Sequence, residues 1–200
     1  MPMHNPKWKV MRRFGVNLFG TRSPGLEKRL PVPPGQHGKR RRNKPSEYAL
    51  QLREKQKARF MYGVTERQFH HAYEKARKQP GQTGDTMLSL MERRLDNAVY
   101  RLGFAPTRPM ARQMVSHGHI RVNGKRVNVA SFQVRVGDVI ELGPKARAIP
   151  DVQEALGAGS QLPSWLQRGE EGSATVIGLP QAQDVEAFIV PQRIVEYYSR

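Results

Sequence analysis

The chain has no cysteine in its 200 residues. That excludes disulfides, thiolate metal sites and cysteine nucleophiles. No apolar run approaches the roughly 18 residues that a membrane-spanning helix needs, and no apolar stretch follows the N-terminal charges as in a secretory leader. The chain therefore reads as cytoplasmic. Hydrophobic residues make up only 38%, below the usual globular share of about 45–50%, which also counts glycine. Acidic residues are scarce as well: 17 Asp and Glu face 34 Lys and Arg, a net charge of +17. Such an excess repels itself in a compact state, so it points to a polyanionic partner.

The charge is placed unevenly. Residues 1–60 hold 16 Lys/Arg against 3 Asp/Glu, residues 61–150 hold 15 against 7, and residues 151–200 hold 3 against 7. An anionic membrane could attract the basic third, but membrane-surface binding needs an apolar face beside the charges. Residues 1–45 read as a basic, poorly periodic arm. Its stretch LPVPPGQHGKRRRNKP is rich in residues that resist helix and sheet, and the arm is expected to order on its partner.

Beyond the arm, periodicity is helical. A helix is expected over 46–62, capped by Ser46 and stopped at Gly63. Thr65-Glu66-Arg67-Gln68 fits a capping box for a second helix, whose apolar stripe is Phe69, Ala72, Tyr73 and Ala76. Leu88, Met91, Leu95, Val99 and Leu102 predict a third helix from about Thr86 to Leu102. Thr107 caps a fourth, which ends at Gly118. The period then changes to two. Ile120-Arg121-Val122, the turn Asn123-Gly124, and Val127 and Val129 predict a hairpin. Phe132, Val134 and Val136 follow, then Val139–Leu142 after Gly137-Asp138. Residues 146–182 read as an irregular connecting segment. Over 183–200, Pro191 suits a first helical turn, and the short face of Ile194, Val195 and Tyr198 needs an earlier helix to pack on, within 46–91.

The fold class expected is α+β: a mostly helical domain, an inserted helix-turn-helix with a small antiparallel sheet over 92–145, and the extended basic arm. On the fourth helix Arg108, Arg112 and Ser116 recur at four-residue steps and share a face. Arg94 and Arg101 extend the positive charge, and the hairpin adds Arg121, Lys125 and Arg126. Arginine can grip phosphate with paired hydrogen bonds, Asn, Gln and Ser reach sugars and bases, and irregular RNA is what such mixed surfaces hold. The candidate RNA contacts are Gln36, His37, Lys39, Arg40, Arg41, Arg42 and Lys44 on the arm; Arg53, Lys55, Lys57, Arg59 and Arg67 on the first two helices; Arg94, Asn97, Arg101, Thr107, Arg108, Arg112, Gln113 and Ser116 on the next pair; and His117, His119, Arg121, Asn123, Lys125 and Arg126 at the hairpin. Charge reversal at Arg108 and Arg112 is expected to weaken binding far more than reversal at Glu170 and Glu171.

Other chemistry is poorly supported. His117 and His119 are two ligands without a third, so they suit RNA or backbone better than metal. Glu92 and Asp96, at i and i+4 beside Arg93 and Arg94, read as surface ion pairs, with Asp96 able to fix an arginine. GQHGKR lacks the spacing of a phosphate loop, and GAGSQ follows no buried strand. No cofactor is expected. Two alternatives to a structural RNA-binding protein remain. An RNA-modifying enzyme would need a larger domain than the roughly 55 residues after Lys145 allow. A DNA-compacting protein would explain the charge but not the Asn-Gly hairpin.

The block RLDNAVYRLGFAPTRPMARQMVSHGHIRVNGKRV resembles the RNA-binding module shared by the fourth protein of the small ribosomal subunit, some pseudouridine synthases and bacterial tyrosyl-tRNA synthetases. PGQHG at Pro34–Gly38, LREKQK at Leu52–Lys57, YGVTERQF at Tyr62–Phe69 and the C-terminal VEYYSR lie outside that module and are similar to the ribosomal family. The resemblance implies a non-enzymatic protein that binds the 5′ domain of 16S ribosomal RNA at a helical junction, early in subunit assembly. It implies as neighbours the fifth small-subunit protein and messenger RNA near its entry path, an influence on decoding accuracy, and no homo-oligomer. Some members hold zinc with four N-terminal cysteines, which this chain lacks.

Overall fold

The computed structural model describes residues 6–21, 23, 25–36, 44–159, 162–170 and 172–200. Two short helices open it, α1 (Lys7–Phe14) and α2 (Leu26–Arg29), followed by α3 (Glu47–Met61), α4 (Glu66–Arg77) and α5 (Thr83–Glu92). The next pair is α6 (Leu95–Arg101) and α7 (Arg108–Ser116). Then come β1 (Ile120–Val122), β2 (Lys125–Val127), β3 (Val139–Leu142), α8 (Pro144–Arg147), α9 (Pro150–Gly157), β4 (Leu166–Arg168), β5 (Ser173–Val176) and α10 (Pro191–Tyr198). Among the described residues, no helix is long and apolar enough to cross a membrane.

Local chemistry accounts for most boundaries. Ser46 accepts from the Ala49 amide at the start of α3. At α4, Thr65 and Gln68 form the reciprocal capping box. Helix α3 ends where the Val64 amide bonds the Arg59 carbonyl and the Gly63 amide bonds Phe60, the paired pattern of a left-handed C-terminal cap. Asn123 and Gly124 both have positive φ, 51° and 75°, as a tight two-residue hairpin turn requires.

Two cores result. The first joins Val10 and Phe14 of α1 and Leu18 to Phe60, Phe69, Tyr73, Met87, Leu88 and Ile194. Helix α10 packs on α3 and α5, where fully burying the Ile194 side chain contributes about 1.5–3 kcal/mol. The second core unites Leu95, Val99 and Leu102 with Ile120, Ile140, Trp165 and Val176. Its sheet is antiparallel, in the order β2-β1-β3-β5-β4.

Four expectations need correction. The helix predicted over Thr86–Leu102 is two helices. Arg94 is extended (φ −66°, ψ 136°) and bridges Gln133. The Leu95 and Asp96 amides bond the Phe132 and Ala130 carbonyls, and the Val134 amide bonds Arg93. These bonds satisfy backbone groups that a continuous helix would have paired internally. The segment of Phe132, Val134 and Val136 thus fills the break instead of forming a strand. Residues 146–182 are not an irregular connector, because β4 and β5 complete the sheet and Val152, Ala155 and Trp165 are buried. The arm is not wholly extended either: Val10, Met11, Phe14, Leu18 and Leu26 are buried.

Candidate RNA interface

Helix α7 and the β1–β2 hairpin form one basic surface. Thr107 caps α7 by accepting from the Met110 amide, and Ala111, Met114 and Val115 turn inward. Gln113 and Ser116 are left outside with Arg112 at the edge, and the Ser116 hydroxyl donates to the Arg112 carbonyl at 2.9 Å. At Gly118 the helix ends in the left-handed region, φ +70°. A side chain there would also collide with the Arg126 guanidinium, which donates to the His117 carbonyl at 3.0 Å. Glycine therefore lets Arg126 lie against the end of α7.

Beside it opens a recess of about 360 Å³ lined by His117, His119, Arg121, Arg126, Pro144 and Lys145, with Gly118 and Gly143 in its wall. Arg121, Lys125 and Arg126 are exposed. Asn123 is exposed too, but its amide donates to Asp138 at 2.9 Å and its carbonyl accepts from the Val139 amide at 2.8 Å. It therefore anchors the hairpin to β3. Lys145 was missed in the sequence, because Gly143-Pro144 marks only the end of a strand. The Gly143 amide bonds the His119 carbonyl at 2.7 Å and brings Lys145 to the recess.

Six of the candidate RNA contacts lie inside instead. Arg94 is buried and donates twice to Asp96, at 3.0 and 2.8 Å. Glu92, with no exposed surface, accepts from Tyr62 at 2.7 Å, Asn97 at 2.7 Å, and Arg101 at 2.9 and 3.2 Å. Arg108, 7% exposed, donates to Asn97 at 3.2 Å and Glu186 at 3.0 Å and stacks over Tyr100. Burial alone would lower the pKa of Arg101, but Glu92, with Glu186 behind it, carries it above the usual arginine value. Burial and then the Glu92 charge raise the Tyr62 phenol well above its ordinary value. Lys55 is buried against Glu66 at 2.8 Å. Lys57 reaches Glu54 at 2.8 Å and the Phe188 carbonyl at 2.6 Å. Charged groups out of water need such partners. Glu92 and Asp96 are likewise buried, not a surface pair.

The remaining candidates are dispersed. Arg112 reaches from α7 to the Gly63 carbonyl at 2.6 Å, with Asp96 at 3.8 Å, so the cap of α3 fixes α7. Arg53 is exposed and donates to the Arg13 and Phe14 carbonyls. Arg59 lies 3.8 Å from Glu66. Gln36, Lys44 and Arg67 are exposed. His37, Lys39, Arg40, Arg41 and Arg42 lie outside the described residues.

Residues 2–92 match the Ribosomal protein S4/S9 N-terminal domain, and residues 93–140 match the S4 domain. Small ribosomal subunit protein uS4 of Geobacillus kaustophilus is 50% identical over 196 residues, covering 98% of this chain and 97% of that protein. The uS4 proteins of Chloroflexus aurantiacus (strain J-10-fl) and Staphylococcus carnosus are 49% and 48% identical, over 98% and 96% of this chain and 97% and 95% of their own. The chain belongs to the uS4 family. It is thus a non-enzymatic, structural protein of the small ribosomal subunit, at work in the cytoplasm, and its second half carries the RNA-binding S4 domain. The two uS4 matches meet between Glu92 and Arg93, at the break between α5 and α6.

Proposed function

We propose that this protein is a primary binder of 16S ribosomal RNA, which grips a helical junction of the 5′ domain, nucleates subunit assembly and influences decoding accuracy. In the subunit it neighbours the fifth small-subunit protein and messenger RNA near its entry path. The observation that carries the RNA reading is the recess beside α7. His117 and His119 from the turn after α7 converge there with Arg121 of β1, Arg126 of β2 and Lys145 of α8, and none of them has a carboxylate partner among the described residues. A concave cationic surface with histidine and backbone donors can follow an irregular phosphate backbone. Hydrogen bonds from Arg126 to the His117 carbonyl and from the Gly143 amide to the His119 carbonyl hold the recess in shape before RNA arrives, which lowers the ordering cost of binding.

Burial of Arg108 makes it a poor probe of this surface, because its reversal would disturb the fold. The exposed pair Arg121 and Lys125 is the better choice. Reversing both to glutamate should weaken binding to a transcript of the 16S 5′ domain and lower the salt slope by about 1–2, at roughly 0.7–0.9 per phosphate contact. Reversal of exposed Glu170 to lysine should not weaken it. Wild-type affinity and slope for the Arg121/Lys125 variant would contradict the assignment.

A further inference from the structure

We propose that the outward face of α1 is a further RNA contact, in which the Trp8 indole stacks on an unpaired base of the bound RNA. The inference rests on the RNA-binding reading above and deepens it. Helix α1 buries Val10 and Phe14 in the first core and buries Met11 as well, which leaves its largest aromatic outside. Trp8 is 42% exposed, whereas Trp165, the other tryptophan of the chain, is 1% exposed. An exposed indole forgoes the gain of burial unless something covers it.

Its surroundings say what. The helix, KWKVMRRF, has no acidic residue. Lys7, Lys9 and Arg13 are exposed, and their side chains have no ion pair among the described residues. The core of a protein interface is depleted of lysine. A membrane would need a wide apolar face, and that face of α1 is turned inward. RNA supplies both things this surface lacks: phosphates for the cations and a flat π-face for the ring.

The platform is also held in place. Arg12, one turn beyond Trp8, donates to the Val32 and Pro33 carbonyls at 2.8 and 3.0 Å. Arg53 of α3 donates to the carbonyls of Arg13 and Phe14 at 3.3 and 3.2 Å. Lys7 of α1 and Arg112 of α7 line one cleft of about 220 Å³, so α1 adjoins the α7 surface and one RNA can reach both.

The two tryptophans make a direct test possible. In a Trp165→Phe protein, emission comes from Trp8 alone. Adding the 16S 5′-domain transcript should quench it and shield it from acrylamide. In the otherwise wild-type protein, Trp8→Phe should bind within about threefold of wild type. Trp8→Leu, apolar but without a ring, should bind about tenfold more weakly or worse, with an unchanged melting temperature. Should Trp165→Phe fail to fold, the emission difference between wild type and Trp8→Phe gives the same reading. Tight RNA binding with Trp8 emission and acrylamide access unchanged would overturn the stacking proposal alone. So would equal affinity for the Leu and Phe variants. If the wild-type protein does not bind the transcript, the RNA reading itself fails and takes this inference with it.

Discussion

Glu92 is wholly buried and accepts from three side chains: Tyr62 at the end of α3, and Asn97 and Arg101 of α6. Arg101 and Arg108 carry the network on to Glu186, ahead of α10. One carboxylate thus ties the helical half, the S4 domain and the C-terminal segment together. Its removal would leave the Tyr62 hydroxyl unpaired and Arg101 with Glu186 as its remaining carboxylate, and breaking a buried pair from one side costs about 3–5 kcal/mol. Glu92→Ala should therefore lower the urea midpoint by that order in free energy. A loss below about 1 kcal/mol would mean that solvent screens the group. The sequence pattern pointed elsewhere at this position. Glu92 and Asp96 read there as a surface pair, yet Glu92 lies four residues after Leu88 on the apolar side of its helix, and both carboxylates are buried.

At the scale of elements, what was legible had local causes. The Ser46, Thr65 and Thr107 caps, the stop at Gly63 and the Asn123-Gly124 turn are each written within a few residues, and the structure has all of them. What escaped had distant causes. The break between α5 and α6 is satisfied by residues 130–134, and β5 exists by pairing with β3, some 35 residues earlier in the chain. No short window contains residues 130–134 or β3, although β4, the other neighbour of β5, lies only a short turn before it. Helix α10 shows both sides: its short apolar face announced a need for packing, but not its polar lock. Tyr198 and Lys55 both donate to Glu66 Oε1 at 2.8 Å, and Lys55 lies 4.6 Å from the Tyr197 ring centre. Burial alone would raise the Glu66 pKa, but these hydrogen bonds and the charges of Lys55 and Arg59 bring it below its ordinary 4.5. A depressed carboxylate stabilises the fold above its unfolded pKa, and that contribution is lost as pH falls from about 4.5 through the folded value. Acid unfolding should thus be less steep in that window for Glu66→Gln than for wild type. Identical pH profiles would place the lock elsewhere.

Over the whole molecule, charge divides between two tasks. Composition could announce a polyanion partner, and 34 Lys and Arg against 17 Asp and Glu made that legible at once. It could not say which cations face outward. Arg94, Arg101, Arg108, Lys55 and Lys57 meet carboxylates only because the fold brings Asp96, Glu92, Glu186, Glu66 and Glu54 to them. One of those pairs, Arg108 with Glu186, comes from far along the chain, and the others depend on local geometry, so spacing alone gave no sorting rule. What faces outward is the α7 and hairpin surface, and the proposed function requires it to recognise a particular RNA. The most direct test is binding of the full chain to the 16S 5′-domain transcript across a salt series, with excess unrelated structured RNA as competitor. Binding should survive the competitor at moderate salt while still falling with salt through phosphate contacts. Binding abolished equally by any RNA would contradict the proposed function and leave only a polyanion-binding protein.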